Sequence, residues 1–283
     1  MRVKMRHGRA AYAVASRYRT PLMPMLPPTQ RCEPLLHRRL WFPGQLSGAD
    51  LRSVFENAVA LKRPDRDSAS PRPLRGRHVA LLCPEGDAAS ARLDAALTEL
   101  GATVAQLNTA SWCRPARGRL PDSANLLGKL YDAIDCGDLP PELIKQIDTH
   151  AGVPVFNGLC RPAHPACLLA GLLTMRGALG QPPSRVQVLI KGDPHSVLYR
   201  EARRLLPLAG LGIQPRAPAS AEFAPAAPAA EPDFIFHVSA TVDCGRPEVL
   251  RSSPTEQLRI DTLHADNQRR VMQALFVSVL SGL

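Results

Sequence analysis

Short apolar runs that alternate with amphipathic stretches dominate the middle of this 283-residue chain. HVALLC, TVAQL, AIDC and VPVFN each have the length of a strand, and stretches with apolar residues at helical spacing lie between them. Strands that alternate with helices in this way predict parallel sheets covered by helices on both faces. We therefore predict the α/β class.

The same alternation restarts after Pro182 and Pro183. A second block contains VQVLI, the turn KGDPHS and the helix VLYREARRLLPLAG. An Ala/Pro-rich stretch (217–232) then precedes the strand DFIFHVS. Apolar residues at helical spacing predict a last helix from about Asp261 to Ser281.

The two blocks predict two domains. We assign residues 46–180 to the first domain, together with the C-terminal helix (261–283), and residues 184–260 to a smaller second domain. In open α/β sheets, ligands bind at the carboxyl ends of the strands. The turns at 157–164 and 191–196 follow predicted strands, so we expect the functional residues there.

The net charge of +10 comes mainly from the first segment of the chain. Seven Lys and Arg residues precede Glu33, the first acidic residue, and the remainder is close to neutral. We expect residues 1–45 to form a disordered basic tail, because they lack a periodic apolar pattern. Such a tail can contact anionic surfaces. No aromatic-basic motif accompanies the charge, so specific nucleic-acid binding is not predicted.

The seven cysteines are scattered through the chain, which favours reduced thiols in a cytoplasmic protein. Cys160, His164 and Cys167 form a CxxxHxxC pattern, but zinc normally takes four ligands and no nearby cluster supplies the fourth. Nucleophilic catalysis by Cys167 with His164 is a weak alternative, since residues at i and i+3 of a helix are close in any sequence. We predict no metal, no cofactor and no membrane span. The acidic pair Asp132 and Asp135 is interpreted as solvated or capping groups.

Several collinear stretches resemble the aspartate/ornithine carbamoyltransferase family. GVPVFNGL…HPACLLAGLLTM resembles the family pattern VPVINAL…HPxQxLADLLT, and DSANLLGKLYDAI resembles DTARVLSRMVDAI. VLIKGDPHSV is similar to the second-domain strand with its GDxxNV turn. The end, ADNQRRVMQALFVSVL, is similar to the final helix of the family. The resemblance covers roughly residues 46 to 283.

The resemblance implies a fold, an assembly and a set of site residues. It implies two Rossmann-like domains, the first binding carbamoyl phosphate and the second an amino acid, in a homotrimer with active sites between subunits. It implies that His164 polarises the carbamoyl carbonyl. The positions that it implies for substrate binding are Asn157, Cys167, Asp193, Ser196 and His237.

The phosphate-binding loop departs from the family pattern. The family loop reads close to STRTR, and the aligned residues here are Gly86, Asp87, Ala88, Ala89 and Ser90. Phosphate binding uses cations together with free backbone N–H groups at a helix N-terminus. Both arginines are absent, and Asp87 carries a negative charge where a phosphate would lie. The family arginine that follows the DAI strand falls on Gly137.

Other site positions also differ. Cys167 replaces a glutamine, Gly171 an aspartate and Ser196 an asparagine, while His237 is followed by Val-Ser-Ala instead of Cys-Leu-Pro. The second domain is also shorter than in the family. One interpretation of His164 is retained catalysis. The other is that His164 and Pro165 fill a turn and begin a helix.

Three functional hypotheses follow. The first is a degenerate homologue with impaired or lost carbamoyl transfer, which acts in amino-acid or small-anion binding or in assembly. The second is an active transferase of a carbamoyl or related group with a changed anion site. The third is an interaction protein that works through its basic tail. The absence of the loop arginines favours the first.

Overall fold

A computed structural model describes residues 46–61, 72–111, 120–159, 161, 164–178, 182–214, 231–239, 244–250 and 254–281. These residues all lie in the second of two contact-defined units, Cys32–Leu283. The predicted tail (1–45) and Cys160 fall outside the described residues.

Four parallel strands form the first sheet, in the order β2-β1-β3-β4. The strands are β1 (His78–Cys83), β2 (Thr103–Asn108), β3 (Ala133–Asp135) and β4 (Val155–Phe156). The helices of this part of the chain are α1 (Gly48–Ala60), α2 (Ala88–Glu99), α3 (Leu120–Leu130), α4 (Pro141–Ala151) and α5 (Ala166–Ala178). The alternation predicted from the apolar runs is confirmed.

The second sheet is mixed, in the order β6-β5-β7-β8. Its strands are β5 (Gln187–Gly192), β6 (Gly212–Ile213), β7 (Phe234–Val238) and β8 (Pro247–Val249). Strand β8 is antiparallel to β7, and the other pairs are parallel. One helix, α6 (Val197–Leu208), follows β5. The α/β class is confirmed, with an antiparallel edge strand added to the parallel sheet that the sequence predicts.

Helix α1 begins where the sequence places it. The Ser47 hydroxyl accepts a hydrogen bond from the Asp50 N–H at 3.1 Å, and the Asp50 carboxylate accepts one from the Ser47 N–H at 2.9 Å. This reciprocal capping satisfies two N–H groups that have no partner inside the helix. Leu51, Val54 and Phe55 then turn one face into the core.

The last helix, α7 (Pro254–Leu280), begins seven residues before its predicted start at Asp261. Proline is well suited to a first helical turn, because it has no N–H to leave unpaired. Glu256 and Arg259 form an ion pair on that turn, at 2.6 Å. None of the helices in the described residues combines the length and apolar character needed to cross a membrane.

Helix α7 packs against α1, α2 and α5, and Gln257 in its first half hydrogen-bonds β8. The ring centroids of Phe156 and Phe276 lie 4.4 Å apart, which ties α7 to the end of β4. On the α1 side, the Asn57 amide donates to the Ser278 hydroxyl at 3.0 Å. Leu275 is 2% exposed within this contact region. One core cluster therefore extends through α7 from the first sheet to the second.

Replacing Leu275 with Asp tests this packing. The change removes a buried apolar side chain, which alone costs about 2–5 kcal/mol. It also buries a carboxylate without a partner, which increases the loss of unfolding free energy. Hydrogen exchange should show that α1 and α7 lose protection together. The matched control is Leu258→Asp on the same helix, because Leu258 is 66% exposed and should tolerate the charge. Continued protection of α1 in Leu275→Asp would contradict a shared contact surface.

Candidate functional site

The carboxyl ends of β1, β3 and β4 meet at one edge of the first sheet, because the three strands are parallel neighbours. The segments that follow them carry Asp87, Asp138 and Asn157, respectively. Ion pairs and a hydrogen bond connect these residues to the segment before α5, which contains Arg161 and His164. This edge is where the sequence predicts the functional residues.

Asp87 caps the N-terminus of α2 with its carboxylate. Its Oδ2 accepts the Ser90 N–H at 2.7 Å, and its Oδ1 lies 3.1 Å from Nη1 of Arg161. Partial burial raises the pKa of Asp87, but the hydrogen bonds from Ser90 and the charge of Arg161 outweigh it and hold the pKa below its usual value. The carboxylate therefore stays ionised at the position where the resemblance places a phosphate.

Arg161 is held between two carboxylates. The same Nη1 that contacts Asp87 lies 2.8 Å from Oδ2 of Asp138. The Nε and Nη2 atoms of Arg161 are buried and have no hydrogen-bond partner among the described residues. An arginine thus supplies a positive charge at this edge, but two acidic groups of the same chain already neutralise it.

Gly137 leaves no space for a longer side chain. Its φ is +51°, in the left-handed region that favours glycine. A Cβ here would lie 2.4 Å from the carbonyl oxygen of Leu82 and 3.3 Å from Nη2 of Arg161. Where the family resemblance implies an arginine, the backbone therefore accepts only glycine, and Arg161 approaches from another segment.

Asp135, at the end of β3, organises the turn after β4. Its Oδ1 accepts the N–H groups of Gly158 at 2.9 Å and Leu159 at 3.1 Å. Burial raises the pKa of Asp135, although these N–H groups and Arg161 favour the ionised form. The interpretation of Asp135 as a capping group is confirmed, whereas a solvated position is wrong, because the residue is 1% exposed.

Both ring nitrogens of His164 have protein partners. Nδ1 accepts the Ala166 N–H at 3.0 Å, and Nε2 lies 2.7 Å from Oδ1 of Asn157. Because Nδ1 accepts, the proton of the neutral ring is on Nε2, which donates to Asn157. Burial lowers the pKa of His164 to about 4, so the ring is neutral at pH 7.

This geometry bears on the interpretations of His164. The ring hydrogen-bonds a backbone N–H at the start of α5, as the turn-filling interpretation predicts. His164, which the resemblance implies for catalysis, is hydrogen-bonded to Asn157. The resemblance implies Asn157 for substrate binding. In this arrangement neither nitrogen is available to a metal.

The segment between β7 and β8 packs directly against the backbone of α5, with a glycine on each side. A Cβ placed on Gly171 would lie 2.1 Å from the carbonyl oxygen of Gly245 and 2.4 Å from Cε2 of Phe236. A Cβ placed on Gly245, whose φ is +76°, would lie 2.3 Å from the carbonyl oxygen of Cys167. The Cys244-Gly245 turn thus covers two positions, 167 and 171, where the family has polar side chains.

The other predicted binding residues lie on the second sheet. Asp193 and Ser196 belong to one turn, in which the Ser196 hydroxyl donates to the Asp193 carbonyl at 2.8 Å and accepts the Tyr199 N–H at 3.1 Å. His237 pairs with Glu248 at 2.7 Å. Within the described ranges, no hydrogen bond joins these residues to His164.

Comparisons with known proteins agree with the fold and the sequence motifs. The family model for the aspartate/ornithine carbamoyltransferase carbamoyl-P binding domain matches residues 38–177. The catabolic ornithine carbamoyltransferases of Burkholderia mallei and Burkholderia pseudomallei are each 30% identical to this chain over 220 residues, or 77% of its length. The chain belongs to the aspartate/ornithine carbamoyltransferase family.

This carbamoyltransferase-family chain spans 63% of the length of those two relatives. Its fold is similar to that of the ornithine carbamoyltransferase from Pyrococcus furiosus, with a TM-score of 0.62 and 18% identity. That match covers 88% of this chain and 99% of the Pyrococcus chain.

Sequence reasoning missed Arg161, Asp138 and the Cys244-Gly245 turn. Arg161 lies 74 residues from Asp87, and no local motif connects the two. The available signal was an arginine three residues before His164, on the strand-to-helix segment already singled out. For Gly245, the signal was a glycine next to a cysteine in a short polar stretch, which is too common to indicate a helix contact.

The Gly171–Gly245 contact predicts opposite effects for two alanine substitutions in α5. Gly171→Ala forces its Cβ into backbone and ring atoms, and overpacking of this kind costs about 1–3 kcal/mol or more. Gly177→Ala is the matched control, because no atom lies within 4 Å of its Cβ position. It should stabilise the helix by about 0.5–1 kcal/mol. Denaturant unfolding measures both, and a neutral Gly171→Ala would contradict the close contact.

The neutral state of His164 predicts a pH dependence of stability. The folded pKa is about 4, below the usual value of about 6.5. As pH falls from about 6.5 toward 4, the unfolded chain takes up a proton on this ring that the folded protein does not. The unfolding free energy then decreases by about 1.4 kcal/mol per pH unit. Because Gln does not titrate, His164→Gln should remove this part of the slope in denaturant unfolding. An unchanged slope would contradict a buried, neutral His164.

Proposed function

We propose that this protein is a carbamoyltransferase-like homologue with impaired or lost carbamoyl transfer, and that it acts in amino-acid or small-anion binding or in assembly. The observation that carries the proposal is the Asp87–Arg161–Asp138 ion-pair cluster. The carboxylate of Asp87 takes both interactions that an oxyanion would need here, namely an N–H group of α2 and the guanidinium.

Electrostatics supports the loss of phosphate binding. An entering phosphate would have to separate Asp87 from Arg161 or lie beside both. Two like unit charges about 4 Å apart repel by about 4 kcal/mol at an effective dielectric constant of 20. Phosphate carries more than one charge, so the repulsion from Asp87 is larger. Asp138 adds a second carboxylate on the same guanidinium.

The state of His164 supports the loss of the chemical step. A group that polarises a carbonyl must direct a proton or positive charge at the carbonyl oxygen. The Nε2 proton of His164 is donated to Asn157, and the ring is 5% exposed. The Cys244-Gly245 turn gives further support. It packs against α5 at positions 167 and 171, where the resemblance implies polar side chains.

A remaining binding role rests on the second sheet and on the family relationship. The exposed Asp193–Ser196 turn lies at the carboxyl end of β5, where α/β proteins bind ligands. We propose an amino acid or a small anion as the ligand, in a cytoplasmic homo-oligomer that is a trimer by resemblance to the family. Light scattering of the purified protein measures the oligomeric state.

One observation favours the alternative of an active enzyme with a changed anion site. Nε and Nη2 of Arg161 are buried donors without partners among the described residues. An anion that displaced Asp87 would gain these donors. In that case the wild-type protein binds carbamoyl phosphate, and Arg161→Gln abolishes the binding. The third hypothesis concerns the tail, which lies outside the described residues.

Calorimetry with carbamoyl phosphate and with inorganic phosphate tests the proposal. We expect the wild-type dissociation constant to lie above about 1 mM. Asp87→Asn keeps an oxygen to accept the Ser90 N–H but removes the charge, so affinity for phosphate should rise tenfold or more. Glu85→Gln is the matched control, because it changes the charge of the same turn at an exposed residue and should leave affinity unchanged within about twofold.

Two results would contradict the proposal. One is micromolar binding of carbamoyl phosphate by the wild-type protein. The other is formation of citrulline from ornithine, or of carbamoyl-aspartate from aspartate, above the rate without protein. Equal gains in Asp87→Asn and Glu85→Gln would show that total charge, rather than the Asp87–Arg161 pair, controls anion binding.

A further inference from the structure

Two cysteines from different sheets meet at the start of α5. Cys167 is the second residue of α5, and Cys244 lies in the segment between β7 and β8. Their backbones are in direct contact, since a Cβ on Gly245 would lie 2.3 Å from the carbonyl oxygen of Cys167 and 3.1 Å from the Leu168 nitrogen. The contact joins residues that are far apart in the sequence.

The two thiols interact with each other. Each thiol shifts the pKa of the other, and the Ser239 N–H also favours the ionised form of Cys244. Interaction with Cys167 and with the Ser239 N–H lowers the pKa of Cys244, whereas interaction with Cys244 and burial raise the pKa of Cys167. Cys244 is therefore the better nucleophile of the pair.

The surroundings set this pair apart from the other cysteines of the described residues. Both thiols are free. Cys167 is partly exposed, whereas Cys244 is 1% exposed, so a small oxidant reaches the pair from the Cys167 side. Cys83 lies on β1 with its thiol directed at Gln106, and Cys136 belongs to a separate core cluster.

We propose that Cys167 and Cys244 are a reversible redox pair that a hydroperoxide converts to a disulfide between α5 and the second sheet. The Cys244 sulfur attacks one peroxide oxygen, the O–O bond breaks, and the displaced oxygen takes the Cys244 proton and leaves as water or an alcohol. The Cys167 sulfur then attacks the resulting sulfenic sulfur. An S–S bond forms, the S–O bond breaks, and the hydroxyl leaves as water with the Cys167 proton.

The disulfide would cross-link the segment before β8 to the N-terminus of α5. The main-chain contact between Cys167 and Gly245 already holds the two cysteines near each other, so bond formation needs local adjustment rather than a large backbone movement. A cross-link between residues this far apart restricts the unfolded chain strongly, which stabilises the folded protein. Reduction by a small thiol reverses it by thiol–disulfide exchange. This inference does not depend on the loss of carbamoyl transfer.

Peroxide oxidation of the full chain tests the pair. Cys32, Cys113 and Cys160 lie outside the described residues, so the test uses a background in which all three are serine. Treatment with hydrogen peroxide should remove two titratable thiols and join the Cys167 and Cys244 peptides in a non-reducing digest. The melting temperature should rise by about 5–10 °C and return to its starting value after addition of dithiothreitol.

Cys167→Ser and Cys244→Ser in the same background are the controls. Each should lose both the cross-linked peptide and the reversible rise in melting temperature. Mapping of the wild-type chain shows whether the bond also forms when all cysteines are present. The proposal is overturned if peroxide leaves both thiols titratable, links other cysteines instead, or oxidises Cys167 and Cys244 separately to sulfinic acids.

Discussion

The burial of α7 among α1, α2 and α5 is the contact on which both sheets depend. Its apolar face supplies Leu275, Phe276 and Val279 to the core of the first sheet, while its first half contacts β8 of the second. Polar groups fix its position, since the Gln273 amide donates to the Ala96 carbonyl at 2.8 Å and the Asn267 amide to the Thr174 hydroxyl at 3.0 Å. Buried amides without such partners would destabilise the fold, so these bonds select one register of the helix.

The site lies where the parallel strands of the first sheet end. Once β1, β3 and β4 run parallel, the segments after them converge, and Asp87, Asp138 and Arg161 come within ion-pair distance. The cluster has two carboxylates around one guanidinium, so acidic charge is in excess, and one of the carboxylates also caps α2. A scaffold that the family uses to hold an anion thus contains an acidic side chain of its own.

The α/β class and most elements could be predicted from sequence, because their signals are local. The Ser47–Asp50 capping box and the apolar runs of the first sheet depend on residues within a few positions of one another. Strands β6 and β8 have only two and three residues and lack a readable period. Their pairing depends on neighbours that are distant in the sequence.

In the candidate site too, local features could be predicted from the sequence and distant contacts could not. The turns that carry Asp87 and His164 could be predicted, since each follows an apolar run. The partners of these residues could not, because the Asp87–Arg161 pair spans 74 residues and the hydrogen bond of His164 to Asn157 depends on the ring orientation. Gln273 is 2% exposed and hydrogen-bonded to α2, although a polar residue on a helix more often faces solvent. Only tertiary packing determines that orientation.

The Gly171–Gly245 contact has a consequence for motion. Two-domain enzymes that enclose a substrate separate and approach by hinge rotation, which requires surfaces that part and meet again. Here main-chain atoms of α5 and of the segment between β7 and β8 touch without an intervening side chain, so no flexible group can absorb a change of angle. Rotation toward α5 is blocked by the backbone, and rotation away from it breaks a close-packed contact. Any change of angle between α5 and the β7–β8 segment would therefore have to break main-chain packing rather than rearrange side chains.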